Sequence, residues 1–374
     1  MLKPVDYPEV VKTFLEIVPI HNPSENEEEL TLWLVDKLTS LELDSLVQDN
    51  FGNVVAKINS NIADNTKSIM FIAHLDSVNP CKNIETLIEK DKNDYIIYSE
   101  GETILSADDK AGIAAIVEAI KIIKEGNFEY PDIELVFTVQ EEIGLKGSKM
   151  LDFGLFKSKY AYSVDAEAPV GTVITQGPSQ KRFQIDFWGK SSHAGMAPEK
   201  GINSIILASE FLNNIAIGRI DDSTTSNIGL IQGGTANNVV PEHTILKGEI
   251  RSLYETKLDG ILSAYCVEAQ KSIEKFPGAK FDFKEEFAYH GFLIETNHPV
   301  VTLALTACDN LSIEPVIKAI GSGSDANIFN YNGIETVILG VGFKKSHSLE
   351  EQISFSQLQQ ICKLIVNIII EARN

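Results

Sequence analysis

The chain has 374 residues, 44% hydrophobic and 23% charged, with a formal net charge of −21 at pH 7. That length exceeds one ordinary core and predicts two domains. The acidic balance argues against nucleic acid and anionic membrane surfaces as partners, since their phosphates would repel it.

From the N-terminus, MLKPVDYPEV lacks the apolar stretch of a signal peptide, and no later run approaches the roughly 20 apolar residues a membrane helix needs. HNPSENEEELTLWLVDKL (21–38) predicts a helix capped by its Pro and Ser, with acids in the first turn. NVVAKI and SIMFIAHLD read as strands, and AGIAAIVEAIKIIKEG as a helix ending at Gly126. IELVFTVQEE is apolar without alternation, which suits a strand covered on both faces. YAYSVDAE and TVITQG follow as short strands.

The middle changes character. KRFQIDFWGK (strand), NSIILASEFLNNI (helix), SNIGLIQGG and TILKGEIRS (strands), KLDGILSAYCVEAQKSIEKF (helix) and KFDFKEEFAY (strand) give βαββαβ, the pattern of a ferredoxin-like layer. The earlier rhythm then resumes through HPVVTLALTACDNL, EPVIKAI, DANIFNYNG, TVILGVG and FSQLQQICKLIVNIIIEA. The fold expected is α/β: a central mixed sheet with helices on both faces, built from residues 1–180 and 289–374, with 181–288 inserted as a second domain. Cys81, Cys266, Cys308 and Cys362 form no CxxC pair, so unpaired thiols in a cytoplasmic protein are expected.

His74 and Asp76 end the second strand; side chains two apart on a strand share a face, so the carboxylate can orient the imidazole. His and Asp are equally ordinary at a solvated strand end. What decides between these readings is repetition. Asp108 and Asp109 stand where a loop enters a helix, Glu141 and Glu142 follow one strand, Asp165 ends another, and His347 follows a third. In open α/β sheets the carboxyl ends of the strands line one edge, where sites form.

So many carboxylates in one crevice would repel one another, and a cation must compensate them. Two neutral imidazoles among them suit zinc, cobalt or manganese better than calcium or magnesium. Two such ions sharing one carboxylate would make a hydrolytic centre.

Taken in order, AHLD, SADDKAG, QEEIG, VDAE, SSHAG, GGTANNVVPEH, EIRS, GSGSDA and KKSHS resemble the metallopeptidase family of peptidase T, carboxypeptidase G, aminoacylase and succinyl-diaminopimelate desuccinylase. GGTANNVVPEHTILKGEIRS and GSGSDANIF are most similar to peptidase T and its close relatives. The resemblance runs nearly the whole chain and implies two Zn2+ ions, with Co2+ or Mn2+ as alternatives. It makes Asp108 the bridging ligand, with His74 and Asp165 completing one site and Glu142 and His347 the other. Glu141 becomes the general base, Asp76 the partner of His74, and Asp109 a helix cap.

In the inserted segment, His193, Asn238 and Arg251 match positions that bind substrate, the first two supplied across a dimer. Residues 181–288 thereby become a lid and dimerisation domain. The function implied is a zinc aminopeptidase of short peptides. An amidohydrolase or dipeptidase of the same family, acting on N-acyl or modified amino acids, is the alternative. GSGSDA (321–326) also fits a dinucleotide fingerprint, but the helix after it is too short, and a tight turn lining the substrate pocket is expected there. His21, His243, His290 and His298 are assigned to structure or surface.

Overall fold

The computed structural model describes residues 8–373. Helices α1 (Glu9–Ile17) and α2 (Glu28–Ser40) lead into strands β1 (Ser45–Gln48), β2 (Val54–Ile58) and β3 (Ser68–His74). The hairpin β4 (Glu85–Asp91) and β5 (Asp94–Glu100) precedes α3 (Ala107–Glu125), β6 (Asp132–Thr138) and the short α4 (Lys146–Lys149). Strands β7 (Tyr160–Ala166) and β8 (Thr172–Gly177) close this half. Next come β9 (Ser179–Trp188), α5 (Ser204–Asn213), β10 (Gly218–Asp221), β11 (Thr224–Gly233), β12 (His243–Ser252), α6 (Thr256–Glu274) and β13 (Lys280–Tyr289). The chain ends with β14 (Phe292–Leu293), α7 (Pro299–Asn310), β15 (Val316–Ala319), α8 (Asp325–Tyr331), β16 (Glu335–Gly340), β17 (Gln352–Ser354) and α9 (Phe355–Glu371).

Two units result. One holds the residues up to Gln176, Leu293–Ala319 and the chain from Ser324 onward; the other holds Gly177–Phe292 and Ile320–Gly323. The sheet of the first unit runs β1-β2-β6-β3-β7-β16-β8, with β15 beside β8. It is mixed: β6, β3, β7 and β16 are mutually parallel, β2 pairs antiparallel to β6, and β8 pairs antiparallel to β16 but parallel to β15. β3 is buried on both faces. Met70 and Ile72 pack with Val136 and with Phe329 of α8, while Phe71 on the opposite face stacks on Tyr162, whose hydroxyl donates to the Val300 carbonyl of α7. Each such side chain contributes roughly 1.5–3 kcal/mol by leaving water. Nothing polar fits within that run, so it is only past Ala73 that ligand-type residues begin.

The second unit is the expected βαββαβ with β10 added, in the antiparallel order β10-β11-β12-β9-β13. Phe183, Ile185 and Phe187 alternate along β9 onto Leu207 and Phe211 of α5 and Leu258, Leu262 and Tyr265 of α6. Both helices therefore cover one face. Several features differ from the sequence reading, which contained neither α1 nor β1. The β4–β5 hairpin, which adds β17 as a third strand, was not anticipated, nor was β10. Helix α2 starts at Glu28, and Ser24 caps nothing: its hydroxyl donates to Asp76 at 2.6 Å. Among the described residues, no helix is long and apolar enough to cross a membrane.

Candidate active site

The parallel strands β6, β3, β7 and β16 are consecutive in the sheet, so their carboxyl ends meet at one edge. His74 ends β3, Asp165 lies next to the end of β7, Glu141 and Glu142 follow β6, and His347 lies in the loop after β16. Asp108 stands at the start of α3, where Asp108 and Asp109 keep non-helical backbone angles before the regular helix begins.

Asp108 is the hub. Its Oδ1 lies 3.0 Å from Nε2 of His74, which is itself 3.4 Å from Oδ1 of Asp165. Its Oδ2 lies 3.3 Å from Nε2 of His347, which is 2.7 Å from Oε1 of Glu142. One carboxylate thus divides its oxygens between two imidazole–carboxylate sets. Donor atoms of His74, Asp108 and Glu142 lie within 4.8 Å of one another, as do those of His74, Asp109 and Asp165. Asp109 is already engaged, accepting from the amides of His74 and of Gly112 at 3.2 Å each, as a residue capping α3 would.

The charges test whether cations belong here. Burial raises the carboxyls of Glu141, Glu142, Asp165 and Asp109 above the usual range. Burial would lower the His74 imidazole, yet Asp108 and Asp165 hold it well above its ordinary value. Hydrogen bonds to Asp108 and Glu142 push His347 up to about 10. Both imidazoles are thus drawn to the charged form, as expected where acids lack compensating charge. A mixed nitrogen–oxygen donor set with excess negative charge fits divalent transition metals.

Asp76 works differently from the sequence expectation. Its carboxylate stands 3.6 Å from Nδ1 of His74, too far for a hydrogen bond, whereas its backbone carbonyl is 3.0 Å away. The strand ends at His74, so the strict alternation of side chains lapses before Asp76. A carbonyl can only accept, so Nδ1 carries the proton and Nε2 faces the carboxylates. The Asp76 carboxylate instead accepts from the amides of Glu141 and Glu142, at 2.8 and 3.1 Å, and fixes the turn that bears them.

Residues 70–371 match the profile of peptidase family M20/M25/M40. The chain belongs to this family. Peptidase T of Geobacillus thermodenitrificans is 28% identical over 407 residues, covering 96% of this chain and 97% of its own. Among solved structures, a tripeptidase of Staphylococcus aureus superposes with a TM-score of 0.91, and aminopeptidase PepT of Bacillus cereus with 0.88. Each is 33% identical and covers 98% of both chains.

Of the remaining residues singled out in this M20 chain, three lie in the second unit. His193 is exposed, and its Nδ1 accepts from the amides of Gly195 and Met196 at 3.2 and 3.1 Å, which leaves the proton of the neutral ring on Nε2. The Asn238 carbonyl accepts from Ala194, so the two loops run together. Arg251 is held by Glu249, with Nε 2.9 Å from Oε1 and a terminal nitrogen 3.3 Å from Oε2.

Sequence reasoning missed several supports of the metal-edge cluster. Ser324, which also caps α8, donates to Oδ2 of Asp165 at 3.1 Å. Thr138, at the end of β6, donates to the buried Asp325. Glu167 accepts from the amides of Lys345 and Ser346, at 2.8 and 3.1 Å, just before His347. The GSGSDA motif held the only legible hint for Ser324 and Asp325, and Glu167 closes VDAE, where only Asp165 was given a role.

Proposed function

We propose that this M20 peptidase is an aminopeptidase of short peptides that works with two divalent ions, Zn2+ in first place and Co2+ or Mn2+ as substitutes. The reading rests on Asp108, whose two oxygens face different histidines, His74 and His347. His74 and Asp165 would complete one ion's shell, and Glu142 and His347 the other's. The likeness to peptidase T, a tripeptidase and an aminopeptidase supports peptides of two or three residues as substrates.

When bound, the ions supply an acidified water and draw electron density from the scissile carbonyl. Glu141 would accept a proton from the attacking water as the water's oxygen bonds to the carbonyl carbon. The same carboxyl then returns the proton to the departing amine nitrogen as the C–N bond breaks. Nε2–H of His193 would donate to the oxygen that gains charge. Arg251 would hold the substrate's carboxylate, for which it must exchange its present partner Glu249.

The chain freed of metal should show no peptidase activity and regain it with Zn2+, Co2+ or Mn2+. Activity persisting after elemental analysis finds no metal would end this reading. A panel of tripeptides, dipeptides and N-acyl amino acids tests the substrate class; fastest turnover of an N-acyl amino acid would transfer the assignment to an amidohydrolase. Four free thiols are consistent with a cytoplasmic site of action.

Residues 181–288 would serve as lid and dimerisation domain. β10 pairs only with Thr224–Ser226, so among the described residues β11 has no strand partner on that side beyond Ser226; Ile231 of β11 and Ile205, which lies near Gly233, are exposed. A second copy adding its own edge would cover both. If His193 then acts on the partner's substrate, mixing inactive His193→Ala with inactive Glu141→Gln chains should restore activity, because one site of each mixed dimer is intact. Up to about a quarter of the unmodified specific activity is expected for random pairing. No recovery from a confirmed mixed dimer would assign His193 to its own chain.

A further inference from the structure

The loop that carries His347 also carries Glu351, a carboxylate only 1% exposed. Glu351 touches none of the residues assigned above through their side chains. Its Oε2 accepts from the amides of Leu105 and Ser106, at 2.9 and 2.8 Å, and its Oε1 from the amide of Asp108 at 3.0 Å. Three backbone donors converge on one buried carboxyl group, the arrangement by which loops are fixed around phosphates and other acceptors.

Besides Glu351, the Ser77 hydroxyl supports this backbone, donating to the Asp108 carbonyl at 3.3 Å. Ser106 is the N-cap of α3, with φ 58°, and Asp108 lies in its first turn, so neither amide has a partner in the hydrogen-bond ladder of α3. The segment 105–108 is set from outside, by a residue more than two hundred positions away. On the other side of His347, Glu167 grips Lys345 and Ser346 in the same manner.

We infer that Glu351 is a positioning residue that sets Asp108 relative to His347, so that the site's shared carboxylate meets its donors only when this contact is made. The inference rests on the two-ion reading of the site. Outer partners of ligands that are lost this way commonly weaken metal affinity 10–100-fold. Glutamine is the discriminating substitution. Its carbonyl oxygen can still take the Leu105 and Ser106 amides, but its amino group then confronts the N–H of Asp108, donor against donor. The shared ligand is thereby released while most of the loop's anchoring survives.

The test reads metal binding, not turnover. Metal-free full-length chains, unmodified, Glu351→Gln and Glu351→Asp, are titrated with Co2+ against a chelator of known affinity while visible absorption is followed. The unmodified chain should take two Co2+. Glu351→Gln should bind at least tenfold more weakly with a shifted absorption band, at an unchanged circular-dichroism spectrum, and Glu351→Asp should fall between. Unchanged affinity and band in a folded Glu351→Gln chain overturn the inference. An unmodified chain that binds no Co2+ overturns the two-ion reading, and this inference with it. Hydrogen exchange in the unmodified metal-free chain decides even if neither variant folds. The amides of Leu105, Ser106 and Asp108 should exchange slowly, and exchange at the rate of an exposed loop removes the proposed contact.

Discussion

Glu141→Gln should keep both metals and lose turnover by about a thousandfold, equivalent to about 4 kcal/mol of transition-state stabilisation. Among the described residues no hydrogen bond reaches the Glu141 side chain; its backbone amide, held by Asp76, is what fixes its place. Burial raises the carboxyl well above the usual range, which suits a group that must accept a proton and then surrender it. Glutamine keeps the shape and removes only the proton-carrying capacity. The proposed ligands Asp108, His74, Asp165, Glu142 and His347 remain untouched, so elemental analysis should still find two ions per chain while kcat on a tripeptide collapses and KM changes little. Glu142 provides the contrast, because its Oε1 lies 2.7 Å from Nε2 of His347. Glu142→Gln should lose metal first and activity as a consequence. Loss of metal from Glu141→Gln, with metal retained in Glu142→Gln, would show that the two roles are exchanged.

Of the residues that approach one another here, His74, Asp165, Glu142 and His347 were legible because each lies at or beyond the end of a buried strand, and Asp108 because two acids open a helix. β3, covered on both faces, carries only apolar side chains from Ile69 to Ala73. A histidine or acid at that point is therefore conspicuous in the sequence, and four neighbouring strands repeat the event. Supports that act through backbone amides leave no such mark. Glu167 and Glu351 look like surface acids in their local context, and their partners lie 178 to 246 positions away. Asp76 was visible, but its use was not: whether its carbonyl or its carboxylate turns to His74 depends on where β3 stops, which is a matter of one or two residues. Ser24 misled in the same way, since a serine before a run of acids looks like a cap whether or not a more distant acceptor claims its hydroxyl.

Asp108→Asn should have the broadest effect of any single substitution in this site. The aspartate presents Oδ1 to His74 and Oδ2 to His347, and both histidines, held charged, keep its carboxyl below the usual range. An amide of the same shape offers one neutral oxygen and, in place of the other, an NH2 group that can only donate. It can serve one donor set and must oppose the other. Metal content should therefore fall from two ions to less than one per chain, and peptidase activity should fall at least as far as in Glu141→Gln. His347→Ala removes a ligand from one set only, so it should lose a single ion and leave the His74 and Asp165 side occupied. The two variants also separate in thermal unfolding. A ligand at a thousand times its Kd stabilises the folded chain by about 4 kcal/mol, so Zn2+ should raise Tm clearly in the unmodified chain and less in His347→Ala. In Asp108→Asn the rise should be smallest, because both ions depend on the carboxylate that was removed. Equal metal content in Asp108→Asn and His347→Ala, with equal gains in Tm, would mean that Asp108 serves one ion and that no ligand is shared.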